Sequence, residues 1–540
     1  SVDSTIGISL KIPPLGDSTA YYWIAAGKNY GEVDNLNDFI LSEKPQTILD
    51  RTASYWNHWV NKEEFNFGNL PSDVVDLFKR SLLILMTQID NGGAIIAAND
   101  SDIRQYAKDT YSYMWPRDGA LVSYALMKAG YTTTCRKFFD FCANVITPYN
   151  FCASVMVENG FLLHKYNPDG SFGSSWHPWV KGEEIHVPIQ EDETALILWA
   201  IWQYYDLYRK IDVIRPLYHS FIEKTADFLV SYRDEQTGLP LPSYDLWEER
   251  RGILSFTTAT VYGGLIAAAN LSDIFFRTEK AKLYRQTALQ IKKAIDQYLY
   301  SEKHKRFLRM IYPKKDGGYE IDATIDASLY GMFAFGVYDP NDIKVKNTMK
   351  AIEETLWVKT KIGGIARYEH DQYQRIGNDD TIPGNPWIIC TMWMAQYYVS
   401  TARSVEDLER VVNSLRWTVS HALPSGVLAE QINPFTGEPV SVSPLTWSHA
   451  AVVQTVMDYL EKLQELHTCG QCGRSIFRYD RAGRKQVKKH SPMHSGIISD
   501  QEHIHYLEQV NVKKDNESFT VRIDQRKCIG CGICVENSEG

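Results

Sequence analysis

From Pro71 to Leu466 apolar residues recur at the three-to-four-residue spacing of amphipathic helices, and no other feature narrows the fold as much. The pattern predicts about twelve helices, near 71–90, 116–130, 132–147, 191–208, 215–233, 256–277, 278–300, 324–336, 340–357, 386–402, 404–418 and 446–466. Segments that precede even-numbered helices are long and rich in Trp, Arg, Asp and Glu, whereas those before odd-numbered helices are mostly short. If successive helices run antiparallel, every long loop falls at one end of the bundle. Twelve helices with one elaborated rim describe a mainly α protein, an (α/α)6 barrel. Nothing in the pattern suggests alternation around a parallel sheet.

The two ends of the chain read differently. Thr5 to Ile12 alternates imperfectly and Thr19 to Ala25 is aromatic and β-prone, so both are expected as strands, separated by the Pro13-Pro14 and Gly27 breaks. After Leu466 a Cys-Gly-rich, basic stretch begins, with a strand-like run from Ser518 to Ile523. The expected division is therefore 1–45, 46–467 and 468–540, the last a small separate appendage. Ser1-Val2-Asp3-Ser4 has neither an initiator Met nor a signal-peptide pattern and reads as the interior of a longer chain.

In 540 residues the net charge is −9, which argues against a general nucleic-acid binder, because phosphate needs a cationic face. No run approaches the roughly 18 apolar residues of a membrane span. Oligomeric state leaves no trace in the pattern.

Four loops carry the chemistry. Leu246-Trp247-Glu248-Glu249 and Leu428-Ala429-Glu430-Gln431 each set a Glu among aromatic or amide groups in a loop that runs into a helix. Cleavage of a glycosidic bond needs two carboxyl groups across a pocket, one holding a proton for the leaving oxygen and one activating water or attacking carbon. Taken singly, each Glu would read as a surface or helix-start charge. The other two loops are Tyr111-Ser112-Tyr113-Met114-Trp115-Pro116-Arg117-Asp118 and Gly384-Asn385-Pro386-Trp387, the latter with Arg367-Tyr368 and Asp371 upstream.

In this order the WPRD, LWEE, GNPW and AEQ motifs resemble glycoside hydrolase family 15, the glucoamylases and their relatives. The resemblance implies the (α/α)6 barrel over the region from about 45 to 467. It also implies that the N-terminal stretch is the end of a β-sandwich of the kind prokaryotic members carry. Residue by residue, it places the general acid on Glu248 and the general base on Glu430, with Ser441 hydrogen-bonded to the base. Repulsion from Glu249 is expected to raise the Glu248 pKa, and Glu249 itself to bind sugar hydroxyls at the next subsite. Arg117 and Asp118 match the pair that grips the non-reducing sugar. Tyr111 and Trp115 match an aromatic floor, Trp247 belongs to the acid motif, Arg367 and Asp371 match a further sugar-binding pair, and Trp387 and Trp447 match aromatic platforms. Trp176-His177-Pro178-Trp179 and Gln190-Glu191-Asp192 sit where outer subsites would be.

Nine cysteines divide into scattered residues (Cys135, Cys142, Cys152, Cys390), read as buried thiols, and five in the tail. Cys469-x2-Cys472 and Cys528-x2-Cys531 read as four thiolates for a structural tetrahedral zinc, across a 55-residue spacer. The rival is an iron–sulfur cluster, because Cys528, Cys531 and Cys534 share the C-x2-C-x2-C spacing of ferredoxins. Reduced thiols of this kind suit a cytoplasmic location. No cofactor is expected to take part in catalysis.

The function the resemblance implies is inverting, exo-acting hydrolysis of α-glucans or malto-oligosaccharides from non-reducing ends, with release of β-D-glucose. Related activities on isomalto-oligosaccharides, dextran or trehalose remain open, although the doubled Glu differs from the WEVR-like string of trehalases. A phosphorylase on the same barrel would use phosphate where the base stands, so Glu430 favours hydrolysis. From another class, a non-catalytic carbohydrate-binding or regulatory protein would be expected to have lost one of the two Glu residues.

Overall fold

The computed structural model describes residues 5–99, 111–146, 160–178, 180–181, 184–185, 187–314, 317–468, 477–479, 507–514 and 517–524. The chain divides into two units, Ser1–Glu64 and Phe65–Gly540. The expected boundary at 45/46 falls inside the first, at the start of a helix.

In the first unit the strand expectation fails. Residues 5–29 contain neither strand nor helix, and Ile6, Ile8, Leu10 and Ile12 are exposed. An alternating segment becomes a strand only when a neighbour completes its ladder. No such neighbour exists among the described residues of this unit, and Pro13-Pro14 removes two amide donors. No strand of the expected β-sandwich end forms among the described residues there. Two helices follow instead, α1 (Tyr30–Glu43) and α2 (Pro45–Val60). Both have sequence signals of their own. Asn29 caps α1 by accepting from the Glu32 amide at 3.0 Å, and Glu32 reaches back to the Lys28 amide at 2.7 Å. Pro45 opens α2 at a position where no amide hydrogen is needed.

In the second unit the helical periodicity is realised except near 324–336, where the expected helix is reduced to a 3-10 turn and one short α-helical turn. The helices are α3 (Ser72–Thr87), α4 (Pro116–Lys128), α5 (Thr132–Val145), α6 (Glu191–Tyr208), a short α7 (Ile211–Ile214), α8 (Glu223–Ser231), α9 (Ser255–Ile274), α10 (Thr278–Ala294), a short α11 (Gly331–Ala334) after a 3-10 turn at Ala327–Tyr330, α12 (Ile343–Leu356), α13 (Ile388–Thr401), α14 (Glu409–Ser420) and α15 (Thr446–Leu466). Helix α4 packs on α6, α6 on α9, α9 on α11, the turn before α11 on α13, α13 on α15, and α15 back on α4. That ring closes. Helices α3, α5, α8, α10, α12 and α14 pack outside it, so the architecture is an (α/α)6 barrel.

Burial explains which helices are inner. Helices α6, α9 and α13 are apolar on nearly every side, whereas α5, α10 and α14 bury one stripe only. Close approach of α9 to α6 relies on Gly264, where an added Cβ would lie 2.7 Å from the Ala195 carbonyl oxygen. The long loops precede the inner helices and gather at one rim. They form two small antiparallel sheets. One joins Ser243–Tyr244, Arg251–Leu254, Met310–Pro313 and Tyr319–Asp322, and the other joins Ile365–Ala366, Pro386–Trp387, Gln431–Ile432 and Pro439–Val440.

In the tail, Glu517–Asp524 pairs antiparallel with Leu507–Lys514, which agrees with the strand expected at 518–523. Cys469, Cys472, Cys528 and Cys531, and with them the zinc and iron–sulfur readings, lie outside the described residues. Cys135, Cys142 and Cys390 are buried and in no disulfide, and Cys152 lies outside the described residues. No helix among the described residues is long and apolar enough to cross a membrane.

Gly264→Ala is expected to destabilise the barrel by about 1–3 kcal/mol through overpacking. Gly7→Ala, whose Cβ would meet nothing within 4 Å, should leave stability unchanged. Denaturant unfolding of both variants checks the pair.

Candidate active site

Five of the long loops line a cavity of about 630 Å3, open to solvent, at the rim end of the barrel. Tyr111, Trp115, Arg117, Asp118, Trp247, Glu248, Arg367, Trp387, Glu430 and Trp447 all line it. Eight of these ten come from the four motif loops, and Arg367 and Trp447 lie outside them; together they span more than 330 residues of chain. Three expected site residues do not line it, namely Glu249, Asp371 and Ser441.

Glu248 sits at the turn of the hairpin between Ser243–Tyr244 and Arg251–Leu254. Its backbone lies in the left-handed region, at φ 56°, a conformation that a non-glycine residue keeps only when its surroundings hold it. Asp245 provides much of that hold. Its carboxylate accepts from the Glu249 and Arg250 amides at 2.8 and 3.1 Å, and its carbonyl accepts from the Glu248 amide at 2.8 Å. His177, stacked on Tyr244 at 3.7 Å, donates through Nε2 to the Glu248 carbonyl at 2.6 Å. The side chain is fixed by Trp115, whose Nε1 donates to Glu248 Oε1 at 2.6 Å. Burial pushes the Glu248 pKa up, against the opposing charge of Lys165, the Trp115 hydrogen bond, Arg117 and His177.

Burial, not repulsion from Glu249, is thus the main cause of the raised value. Glu249 turns away into Arg367, whose guanidinium donates to Glu249 Oε1 at 2.5 Å, and it also accepts from Tyr368 Oη and from Arg250 at 3.0 Å. With its charge matched there, Glu249 neither acts chiefly on Glu248 nor faces the cavity. Asp371 is the other half of the same clamp and accepts two bonds from Arg367, at 2.9 and 2.7 Å. Arg367 therefore reaches the cavity with its position fixed, its guanidinium within about 5 Å of the Trp247, Tyr373 and Trp387 ring centres.

Glu430 is presented by the second rim sheet, with its amide donating to Val442 O at 3.0 Å. Burial raises its pKa, and hydrogen bonds from Ser441, Gln431 and Tyr111 and the charge of Arg367 act to lower it. Gln431 is itself oriented by Asn385 of the GNPW motif, 2.8 Å away. Ser441 stands in the left-handed region at φ 67° and serves Glu430 and Tyr373, not the cavity wall.

Arg117 and Asp118 open α4. Arg117 is wholly buried and donates to Gln190 Oε1 at 2.9 Å and Asp192 Oδ2 at 2.6 Å, and its amide donates to Glu193. Gln190 and Asp192 thus support Arg117, and none of Gln190-Glu191-Asp192 lines the cavity. Asp118, with its Oδ1 bonded to no protein atom, has its pKa pushed to about 7, by burial first and then by the charges of Glu248, Asp192 and Glu430 against that of Arg117. In the loop Trp176 to Trp179, Trp176 lines the cavity, and Trp179 lies outside the described residues.

Sequence reasoning missed Tyr373, whose hydroxyl pairs with that of Tyr111 at 2.6 Å, and Asp326, which accepts from Trp247 Nε1 at 3.1 Å and caps the turn before α11. Tyr373 lies two residues past Asp371 and could have been read with it. Lys165 and Glu193 carry no local signal, because a Lys or Glu in a polar stretch looks solvated.

The family model for glycosyl hydrolases family 15 matches residues 75–457. The chain belongs to glycoside hydrolase family 15. It is 29% identical over 463 residues to an uncharacterized glycosyl hydrolase of Methanocaldococcus jannaschii, covering 83% of this chain and 67% of that protein. It is 25% identical to a glucoamylase of a Clostridium species (80% and 59% covered) and 26% identical to trehalase 2 of Sulfolobus acidocaldarius (75% and 67%). This family 15 chain thus spans about three-fifths to two-thirds of the length of those relatives. Among solved structures, a bacterial glucoamylase complexed with acarbose superposes with a TM-score of 0.62 at 22% identity, covering 81% of this chain and 62% of that one. The glucoamylase of Saccharomycopsis fibuligera gives 0.57 at 19%, with 75% and 98% covered. Members of the family are glycosidases, and this chain is a glycoside hydrolase.

Glu191, at the start of α6, gives a stability test. Burial pushes its carboxyl up to about 8, so between its ordinary value and about 8 the native state holds a proton that the unfolded chain releases. Its contribution is present at low pH and is lost as pH rises through that window. Thermal unfolding from pH 5 to 9 should show stability falling with pH, and Glu191→Gln should flatten part of that slope. An unchanged slope would contradict the assignment.

Proposed function

We propose that this family 15 enzyme is an inverting, exo-acting hydrolase that releases β-D-glucose from the non-reducing ends of α-glucans or malto-oligosaccharides. The observation that carries the reading is two buried carboxyls lining one cavity, Glu248 and Glu430, at the positions of the family's acid and base motifs. Burial pushes both up, with Ser441, Gln431, Arg367 and Tyr111 opposing it at Glu430 and Lys165, Trp115, Arg117 and His177 opposing it at Glu248. On that motif assignment Glu248 acts as the acid and Glu430 as the base. Glu248 passes its proton to the glycosidic oxygen as the C1–O bond breaks. Glu430 takes a proton from the water that attacks C1 on the opposite face, so the product carries inverted configuration. Arg117 and Asp118 grip the terminal sugar, and Tyr111 and Trp115 lie beneath the developing positive charge. The Clostridium relative named a glucoamylase supports the α-glucan reading.

A trehalose-cleaving variant is the second reading, because the Sulfolobus relative named a trehalase is as similar as the glucoamylase. Assays over maltose, maltoheptaose, isomaltose, dextran and trehalose separate the two. Glucose from the malto-series supports the first, and glucose from trehalose alone overturns it in favour of the second. Glu430→Gln should keep ligand binding and lose most hydrolysis, a fall on the order of a hundredfold or more. Wild-type turnover in that variant would place the base elsewhere.

A further inference from the structure

Lys165 is among the larger fully buried side chains of the protein, 1% exposed, in the loop that precedes α6. Its backbone is held by its neighbours. Tyr166 and Met114 exchange two backbone bonds of 2.8 and 2.9 Å, and the Gly173 amide donates to the Lys165 carbonyl at 3.3 Å. Gly173 admits it closely, since a Cβ there would lie 2.9 Å from Lys165 Cγ. The ammonium lies 4.7 Å from the ring centre of Tyr113, 5.0 Å from Trp115 and 4.2 Å from Trp176. Trp115 and Trp176 line the cavity, and the Trp115 indole is the donor to Glu248 Oε1. A buried ammonium is costly unless charge and π-faces compensate it.

We propose that Lys165 is a positioning residue for the acid, acting through Glu248: it fixes the Trp115 indole and stabilises the carboxylate that remains once the Glu248 proton has moved to the leaving oxygen. The proposal rests on the reading of Glu248 as the acid. Other charges face Glu248 from each neighbouring element. Arg117 and Asp118 come from α4 and His177 from the same loop as Lys165, while on its own hairpin Asp245 bonds the Glu249 and Arg250 amides and Glu249 is turned to Arg367. Of the cations, Lys165 acts on it most strongly, ahead of Arg117 and His177. The sign follows. Removing a nearby cation disfavours the carboxylate, so Glu248 should hold its proton to higher pH.

The test is Lys165→Met against Lys165→Arg, which keeps the cation. In Lys165→Met the basic limb of kcat/KM with maltoheptaose should move up by about one pH unit, with kcat reduced, whereas Lys165→Arg should keep the limb near its wild-type position. The Glu248 carboxyl resonance, assigned by its loss in Glu248→Gln and titrated by 13C NMR, should show the same displacement without any substrate. An unmoved limb and an unmoved resonance in Lys165→Met would overturn the proposal, and so would an equal displacement in Lys165→Arg. Wild-type hydrolysis in Glu248→Gln would overturn the acid assignment instead, while the NMR titration would still decide whether Lys165 acts on Glu248.

Discussion

The buried guanidinium of Arg117 is the contact on which the rim depends. It ties the start of α4 to the start of α6 through Gln190, Asp192 and Glu193, and it is the compensating charge for the carboxyls crowded behind the cavity. Acids packed this closely away from water repel one another and take up protons unless a cation lies among them. The raised values of Asp118 and Glu193 show that one cation compensates only in part. Removing one partner of such a network leaves the rest buried and unmatched, which is why its loss would reach well beyond the pair itself.

On this base the rim divides its work between two sheets. The hairpin sheet carries Glu248 at a left-handed turn fixed by Asp245 and His177. The other sheet brings Arg367, Trp387, Glu430 and Ser441 together from two separate loops. A barrel suits this arrangement, because six inner helices fix six loop origins rigidly while the loops vary. Arg367 shows the same logic on a smaller scale: Asp371 and Glu249 hold it from behind so that its outer face is presented to the cavity in one orientation.

Much of this was legible in the sequence because it rests on local patterns. Helical period marked twelve segments, and the alternation of long and short loops marked the rim. The motifs marked Glu248 and Glu430, whose neighbours in sequence are also neighbours in space. What could not be read depends on contacts between distant segments. Whether Glu249 faces the cavity or Arg367 is decided by a loop about 120 residues away. Gln190-Glu191-Asp192 looked like a sugar-facing stretch, and only the packing of α6 on α4 sets Gln190 and Asp192 on Arg117. The strands expected at 5–12 and 19–25 failed for a related reason: alternation states a capacity to pair and says nothing about whether a partner is there. The α1 cap at Asn29 was a local signal, present in the sequence and overlooked beside the stronger β-like alternation.

Inversion at the anomeric carbon follows only if an ionised Glu430 activates the attacking water while a protonated Glu248 gives its proton to the leaving oxygen. The most direct test is proton NMR of the first glucose released from maltoheptaose, recorded before mutarotation equilibrates it. The account predicts that the β-anomer appears first and decays toward equilibrium. The α-anomer appearing first would mean that one of the two carboxylates attacks the sugar directly, and it would contradict the account.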